Sequence, residues 1–153
     1  GKSVLLLGAG GAGRSVIRKL AEAGAQVFAY DVRRENLEEA HRDIGGFTPL
    51  FELVPGDYDL IVNATGIGMH KTEGVSPVGA EFLARAACAC DLIYYPRKSE
   101  FLRIAESLGK PAFNGLGMLF YQAYYGDCII LGRQPSAAEA KELFEAYLKE
   151  YAD

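Results

Sequence analysis

The chain has no tryptophan, and only three cysteines and two histidines among its 153 residues. An odd set of thiols (Cys88, Cys90 and Cys128) in apolar surroundings argues against a disulfide framework and suits buried thiols in a reducing cytoplasm. A metal centre finds no ligand set, because no histidine or second cysteine pair lies near Cys88 and Cys90, and His41 and His70 stand alone. No apolar run approaches the roughly 20 residues that a membrane helix needs. The opening residues carry no basic-then-apolar leader pattern. A formal net charge of −4 leaves no general attraction for nucleic acid or for an anionic membrane. With 50% hydrophobic residues the chain has enough apolar surface for one compact domain over 1–153, and too little length for two ordinary ones.

What is present alternates between two patterns. Val4-Leu5-Leu6-Leu7 is a continuous apolar run, as in a parallel strand covered on both faces. Further strands are expected over 26–30, 47–51, 58–63, 88–94 and 111–113. Helices are expected between them. The first carries Ala12, Val16, Leu20 and Ala23 on one face and stops at Gly24. Others cover 35–43, 79–86, 99–108 and 114–131. A last helix opens on a capping box, Ser136 with Glu139, and aligns Leu143, Phe144, Tyr147, Leu148 and Tyr151. That aromatic stripe either packs inward on the sheet or stands exposed as a docking patch. Strictly alternating strands and helices predict a doubly wound parallel α/β sheet, a three-layer sandwich with ligands at the carboxyl ends of its strands.

Gly8-Ala9-Gly10-Gly11-Ala12-Gly13 sits between the first strand and the first helix. Three of the glycines have separate physical roles. Gly8 allows the tight turn, Gly10 the close approach of a pyrophosphate, and Gly13 the packing of helix on strand. With Gly11 and Ala12 they place the free N–H groups of a helix start against the anion. The second strand ends in Asp31, where an acid can accept hydrogen bonds from the adenosine ribose. This is the setting of a Rossmann dinucleotide site. Asp31 favours NAD, since it would repel a 2′-phosphate. Arg33 and Arg34 follow at once and favour NADP, or stacking on adenine. The acid acts at the ribose itself, so the expectation leans to NAD.

Three later segments resemble the shikimate/quinate dehydrogenase family: Asn63-Ala64-Thr65-Gly66-Ile67-Gly68-Met69, Asp91-Leu92-Ile93-Tyr94-Tyr95-Pro96, and Asn114-Gly115-Leu116-Gly117-Met118-Leu119-Phe120-Tyr121-Gln122-Ala123. With the glycine loop they come in that family's order and cover nearly the whole chain. The resemblance implies that Asn63, Ala64 and Thr65 lie along the cofactor and that Gly115 and Met118 border the nicotinamide. It also implies that Tyr94 and Gln122 reach a small-molecule substrate of the shikimate or quinate class. Plainer roles stand beside these: a turn cap for Asn63 and packing for Tyr94 and Met118. Gln122, polar within an apolar stretch, calls for a partner unless it is solvated.

The resemblance further implies a preceding substrate domain bearing the acid–base residues. No match to that domain stands in this chain, which enters its first strand at Val4, as natural α/β enzymes do and as an excised domain would. No residue here is therefore assigned a catalytic role. The departures are Asp31-Val32-Arg33 where the family usually has an Asn-Arg-Thr-like stretch, and Ile130-Leu131-Gly132 where it often has tryptophan before Thr-Gly. A stand-alone nucleotide-binding module is the alternative of a different class.

Overall fold

A computed structural model describes residues 1–150. Six parallel strands, β1 (Ser3–Leu7), β2 (Gln26–Tyr30), β3 (Thr48–Leu50), β4 (Tyr58–Asn63), β5 (Ala86–Asp91) and β6 (Ala112–Phe113), form one sheet in the order β3-β2-β1-β4-β5-β6. The helices between them are α1 (Gly11–Glu22), α2 (Arg34–Ile44), α3 (Ala80–Leu83) and α4 (Glu100–Ser107).

The apolar run in β1 has a simple cause. Successive strand residues point to opposite faces. Val4 and Leu6 enter a core with Ile17 of α1 and Leu37 of α2, while Leu5 and Leu7 enter a second core with Phe82, Leu83, Phe101 and Leu102 of α3 and α4. Both faces are buried, so neither leaves room for a polar alternation. The three-layer α/β sandwich expected from the alternating pattern is thus formed by residues 1–114.

The chain divides into two compact units, with the break after Asn114. The second unit is a pair of helices, α5 (Leu116–Ile130) and α6 (Ala137–Glu150). Tyr124 and Cys128 of α5 bury Ala140 of α6, and Phe144 and Tyr147 stack on Phe120 with ring centroids 5.1 and 5.6 Å apart. The aromatic stripe therefore packs on α5. Leu143 and Leu148 stay exposed, and Tyr151 lies outside the described residues. The capping box forms in altered form. The Glu139 N–H donates to Ser136 Oγ (3.3 Å), but Ser136 N–H donates to the Tyr124 hydroxyl (2.9 Å), which in turn donates to Glu139 Oε2 (2.7 Å).

Several expectations are corrected. On α1 the fully buried positions are Gly13 and Ile17, whereas Ala12 and Ala23 are exposed: the glycine at 13 lets the helix approach the sheet on that side. The helix expected over 79–86 is a single turn, because Ala86 already pairs with Tyr58 in the sheet. The strand expected over 88–94 starts and stops earlier. It ends at Asp91 because the Asp91 carboxylate accepts from Ile93 N–H (3.0 Å), turning the chain out of the ladder. Tyr94 is accordingly a loop residue. Gln122 is exposed, so burial makes no demand for a partner.

Candidate functional site

The strand order reverses between β1 and β4, since β1 leads through α1 to β2 on one side and pairs with β4 on the other. The carboxyl edge at such a reversal is left uncovered by the crossovers, which run to opposite faces. A cleft of about 290 Å³ opens there. Its walls are the glycine loop (Gly8, Gly10), the end of β2 (Tyr30 to Arg33) and the segment after β4 (Ala64 to Ile67), with Leu53 and Pro77 from two loops.

The glycine loop is built by two close contacts. Gly8 has φ +96° and donates its N–H to Tyr30 O (2.7 Å), tying the loop to β2. A Cβ there would stand 2.9 Å from Ala64 O. A Cβ on Gly13 would collide with the carbonyl oxygen of Gly8, so α1 reaches the turn only with glycine at that position. Gly10 and Gly11 are open: a Cβ on either would meet nothing within 4 Å. Gly10 caps α1 with no side-chain hydrogen bond, and the first turn holds no acid. Free amide donors at the positive end of a 12-residue helix, on the rim of a cleft, make a seat for an anion.

Asp31 does more structural work than its position in the sequence suggests. Its Oδ2 accepts from Ala9 N–H (2.8 Å) and Asn36 Nδ2 (3.0 Å), and its Oδ1 from Arg33 N–H (2.8 Å). Burial pushes its carboxyl up, but these three bonds outweigh burial and the net shift is downward, so it is an anion at neutral pH. The acid braces the glycine loop against β2.

The two arginines separate. Arg33 lies on the cleft. Arg34 turns away, with Nε on Glu38 Oε1 (2.8 Å) and the guanidinium 4.4 Å over the Phe51 ring. It does not line the cleft, and its position on the first turn of α2 fixes the direction. Val32, 82% exposed, takes the cleft wall between Asp31 and Arg33.

Asn63 is fully buried at the end of β4. Its amide donates to Ile67 O (3.1 Å) and Asp91 Oδ1 (3.0 Å), and its oxygen accepts from Thr65 N–H (3.0 Å) and Thr65 Oγ1 (2.6 Å). The side chain is used up within the protein, in the turn-capping role. Ala64 and Thr65 are the members of that trio on the cleft surface.

A second cavity of about 300 Å³ lies where the chain leaves β4 and β5, lined by Met69, His70, Leu92, Ile93, Tyr94 and Tyr95. The segment 64–70 thus walls both cavities, its first residues on one and its last on the other. Tyr94 lines the second cavity from its loop. Gly115, Met118 and Gln122 belong to the helical unit: Gly115 precedes α5, and Met118 and Gln122 are exposed on its first two turns. Leu53, Pro77 and His70 carry no site signal in the sequence, because they arrive from loops with no periodic pattern, and Met69 stands there only as the end of the Asn63–Met69 segment. Only the neighbouring Gly68, with φ +109°, marks a turn there.

The described residues contain no group of three or more metal-ligating side chains, and the three cysteines are free thiols. Burial pushes the Cys90 thiol up to about 11, the inert condition of a packing thiol. No described helix is long and apolar enough to cross a membrane.

No protein-family model matches the chain. Among curated proteins, the shikimate dehydrogenase (NADP(+)) of Desulforamulus reducens is 37% identical over 135 residues, 80% of this chain and 46% of that protein. Among solved structures, a chorismate mutase/shikimate 5-dehydrogenase fusion protein from Clostridium acetobutylicum superposes with a TM-score of 0.81 at 32% identity, over 99% of this chain and 56% of that one. Shikimate 5-dehydrogenase from Thermus thermophilus, in complex with NADP(H) and shikimate, superposes with a TM-score of 0.74 at 32% identity, over 91% of this chain and 52% of that one. The chain spans about half the length of the curated relatives it matches. Those relatives are named for NADP, and the leaning to NAD drawn from Asp31 finds no support in them.

Proposed function

We propose, from the premise that the chain is a dinucleotide-binding domain of the shikimate dehydrogenase family, that it holds NADP for hydride exchange with the ring alcohol of shikimate or a close relative such as quinate. The observation that carries this reading is the cleft at the β1/β4 reversal, with an uncapped, acid-free helix start on its rim.

The residues present fit such a cofactor. The amides at the start of α1 take the pyrophosphate, and Gly10 leaves room for it. Arg33 is the cation on the cleft and takes the 2′-phosphate, while Asp31, already accepting three protein N–H groups, holds the loop in shape. Ala64 and Thr65 form the wall along the cofactor. Tyr94 faces the second cavity, toward the substrate. When bound, the nicotinamide supplies hydride acceptance and donation. The chain's own residues bind and orient. None is assigned the proton transfer, which this reading gives to the part of the longer relatives that the chain does not span. A cytoplasmic setting belongs to the same reading.

For the helical unit the reading rests on resemblance: Gly115 and Met118 serve the cofactor, Gln122 the substrate. Met118→Ala and Gln122→Ala test it directly, by cofactor affinity and substrate affinity respectively.

Calorimetric titration with NADP and NAD, on the wild type, Arg33→Ala and Asp31→Asn, tests the main claim. Tighter NADP binding that Arg33→Ala weakens supports it. Tighter NAD binding transfers the choice of cofactor to Asp31. Shikimate oxidation by these 153 residues alone would refute the division of labour.

A further inference from the structure

Behind the cleft wall lies a polar cluster that joins three elements, β4, β5 and the start of α4. Asp91 and Asn63 are fully buried and Ser99 is 2% exposed. Ser99 Oγ donates to Asp91 Oδ2 and accepts from Leu102 N–H, so the residue that caps α4 also holds the carboxylate. Asp91 Oδ1 accepts from Asn63 Nδ2 (3.0 Å) and from Ile93 N–H (3.0 Å). Asn63 in turn fixes the Thr65 N–H and hydroxyl and the Ile67 carbonyl, and Thr65 Oγ1 accepts from Ile67 N–H (3.1 Å). At the far end of this chain of bonds, Thr65 Cγ2 and Ala64 O lie where a Cβ on Gly8 would touch them, at 3.0 and 2.9 Å.

Burying a carboxylate, an amide and a hydroxyl together costs free energy that an apolar trio of the same volume would avoid. What the polar trio adds is direction. Each bond has one geometry, whereas apolar packing tolerates a slide of the loop. We propose that Asp91, held by Ser99, is a positioning residue for the dinucleotide: through Asn63 it presses the segment Ala64–Ile67 against the glycine loop and thereby sets the width of the cleft. This rests on the reading of the cleft as a dinucleotide site. The role belongs to connectivity and not to charge. An asparagine at 91 keeps an oxygen for Asn63 and Ile93 and offers its amide to Ser99, whose hydroxyl can turn to accept.

The test compares Asp91→Ala, Asp91→Asn, Ser99→Ala and Ser99→Thr with Leu83→Ala, a core truncation that removes none of these hydrogen bonds. NADP affinity is read by calorimetry, the unfolding midpoint by thermal melting, and amide exchange at Thr65 and Ile67 without ligand. Asp91→Ala and Ser99→Ala should each weaken NADP binding about tenfold or more and speed exchange at Thr65 and Ile67, the loss expected when a buried bonded group is orphaned. Asp91→Asn and Ser99→Thr should stay within about threefold of wild type, since they keep the bonds. Leu83→Ala should lower the midpoint at least as far while leaving affinity within the same range. If Asp91→Ala does not fold, Ser99→Ala, which removes a single link, carries the test. Unchanged affinity in Ser99→Ala and any folded Asp91→Ala overturns the proposal, and so does an equal loss in Leu83→Ala. A wild type that binds neither dinucleotide overturns the reading of the cleft, and the proposal with it. A wild type that binds while the alanine variants bind equally well overturns the proposal alone.

Discussion

Gly13 and Gly10 lie three residues apart and carry different burdens. A methyl group at 13 would run into the Gly8 carbonyl, backbone against backbone, where no side chain can yield. Gly13→Ala is therefore expected to cost at least the roughly 1–3 kcal/mol typical of overpacking and to open the turn, with dinucleotide affinity lost; denaturant unfolding and calorimetry check both. At position 10, φ is −72° and the space around a Cβ is empty. Gly10→Ala should leave stability within about 0.5 kcal/mol of wild type. Affinity for NADP should still fall, because the methyl group occupies the approach of the pyrophosphate. Equal affinity in Gly10→Ala would count against the phosphate seat. Arg33 and Asp31 belong at this scale too, one offering charge to the cleft and the other spending its charge on the loop.

The elements show how much a single hydroxyl can organise. The turn between α5 and α6 closes on Tyr124, which is 5% exposed and links Ser136 to Glu139, while Arg133 Nη1 holds the other Glu139 oxygen at 2.8 Å. Tyr124→Phe keeps the ring and orphans the Ser136 N–H. The expected loss is about 0.5–1.5 kcal/mol of hairpin stability, seen as faster amide exchange at Ser136 and a lower unfolding midpoint. An unchanged exchange rate there would mean that Ser136 Oγ alone caps α6. The edge of β5 makes the same point: a carboxylate turning back on Ile93 ends the strand before its apolar residues do.

For the whole molecule the acid limb of stability has identifiable sources. The hydrogen bond from Lys2 holds the Asp59 carboxyl down at about 2, helped by the N–H and hydroxyl of Ser3. Partners also depress Asp57 and Glu139, chiefly Arg85 in one case and Arg133 in the other. A carboxyl whose folded pKa lies below its unfolded value stabilises the fold above the unfolded pKa and loses that contribution as pH falls. The melting temperature should therefore drop between about pH 4 and pH 2, and Asp59→Asn should flatten the drop. Asp91 works the other way. Burial pushes its carboxyl up, so protonation on acidification favours the fold at that position and opposes part of the loss. A melting temperature independent of pH over that range would refute the assignment.

The sequence by itself determined the class of fold and the sheet edge at which the candidate cleft opens. Apolar runs of strand length, helix-length amphipathic stretches and glycines at the first turn are local constraints, and each leaves a mark in neighbouring residues. It also placed Gly8, Gly10, Asp31, Arg33, Ala64 and Thr65 at one edge, because the strand ends of a parallel sheet converge there. Only the tertiary structure decided the rest. Whether Arg33 or Arg34 faces the cleft depends on a phase of one helical residue and on Phe51, which comes from another loop. Whether Asn63 meets a ligand or a neighbour depends on Asp91, 28 residues away. Met69, His70 and Tyr94 share a cavity only because two strands end side by side. Contacts of this kind join residues far apart in the chain, and no local pattern records them.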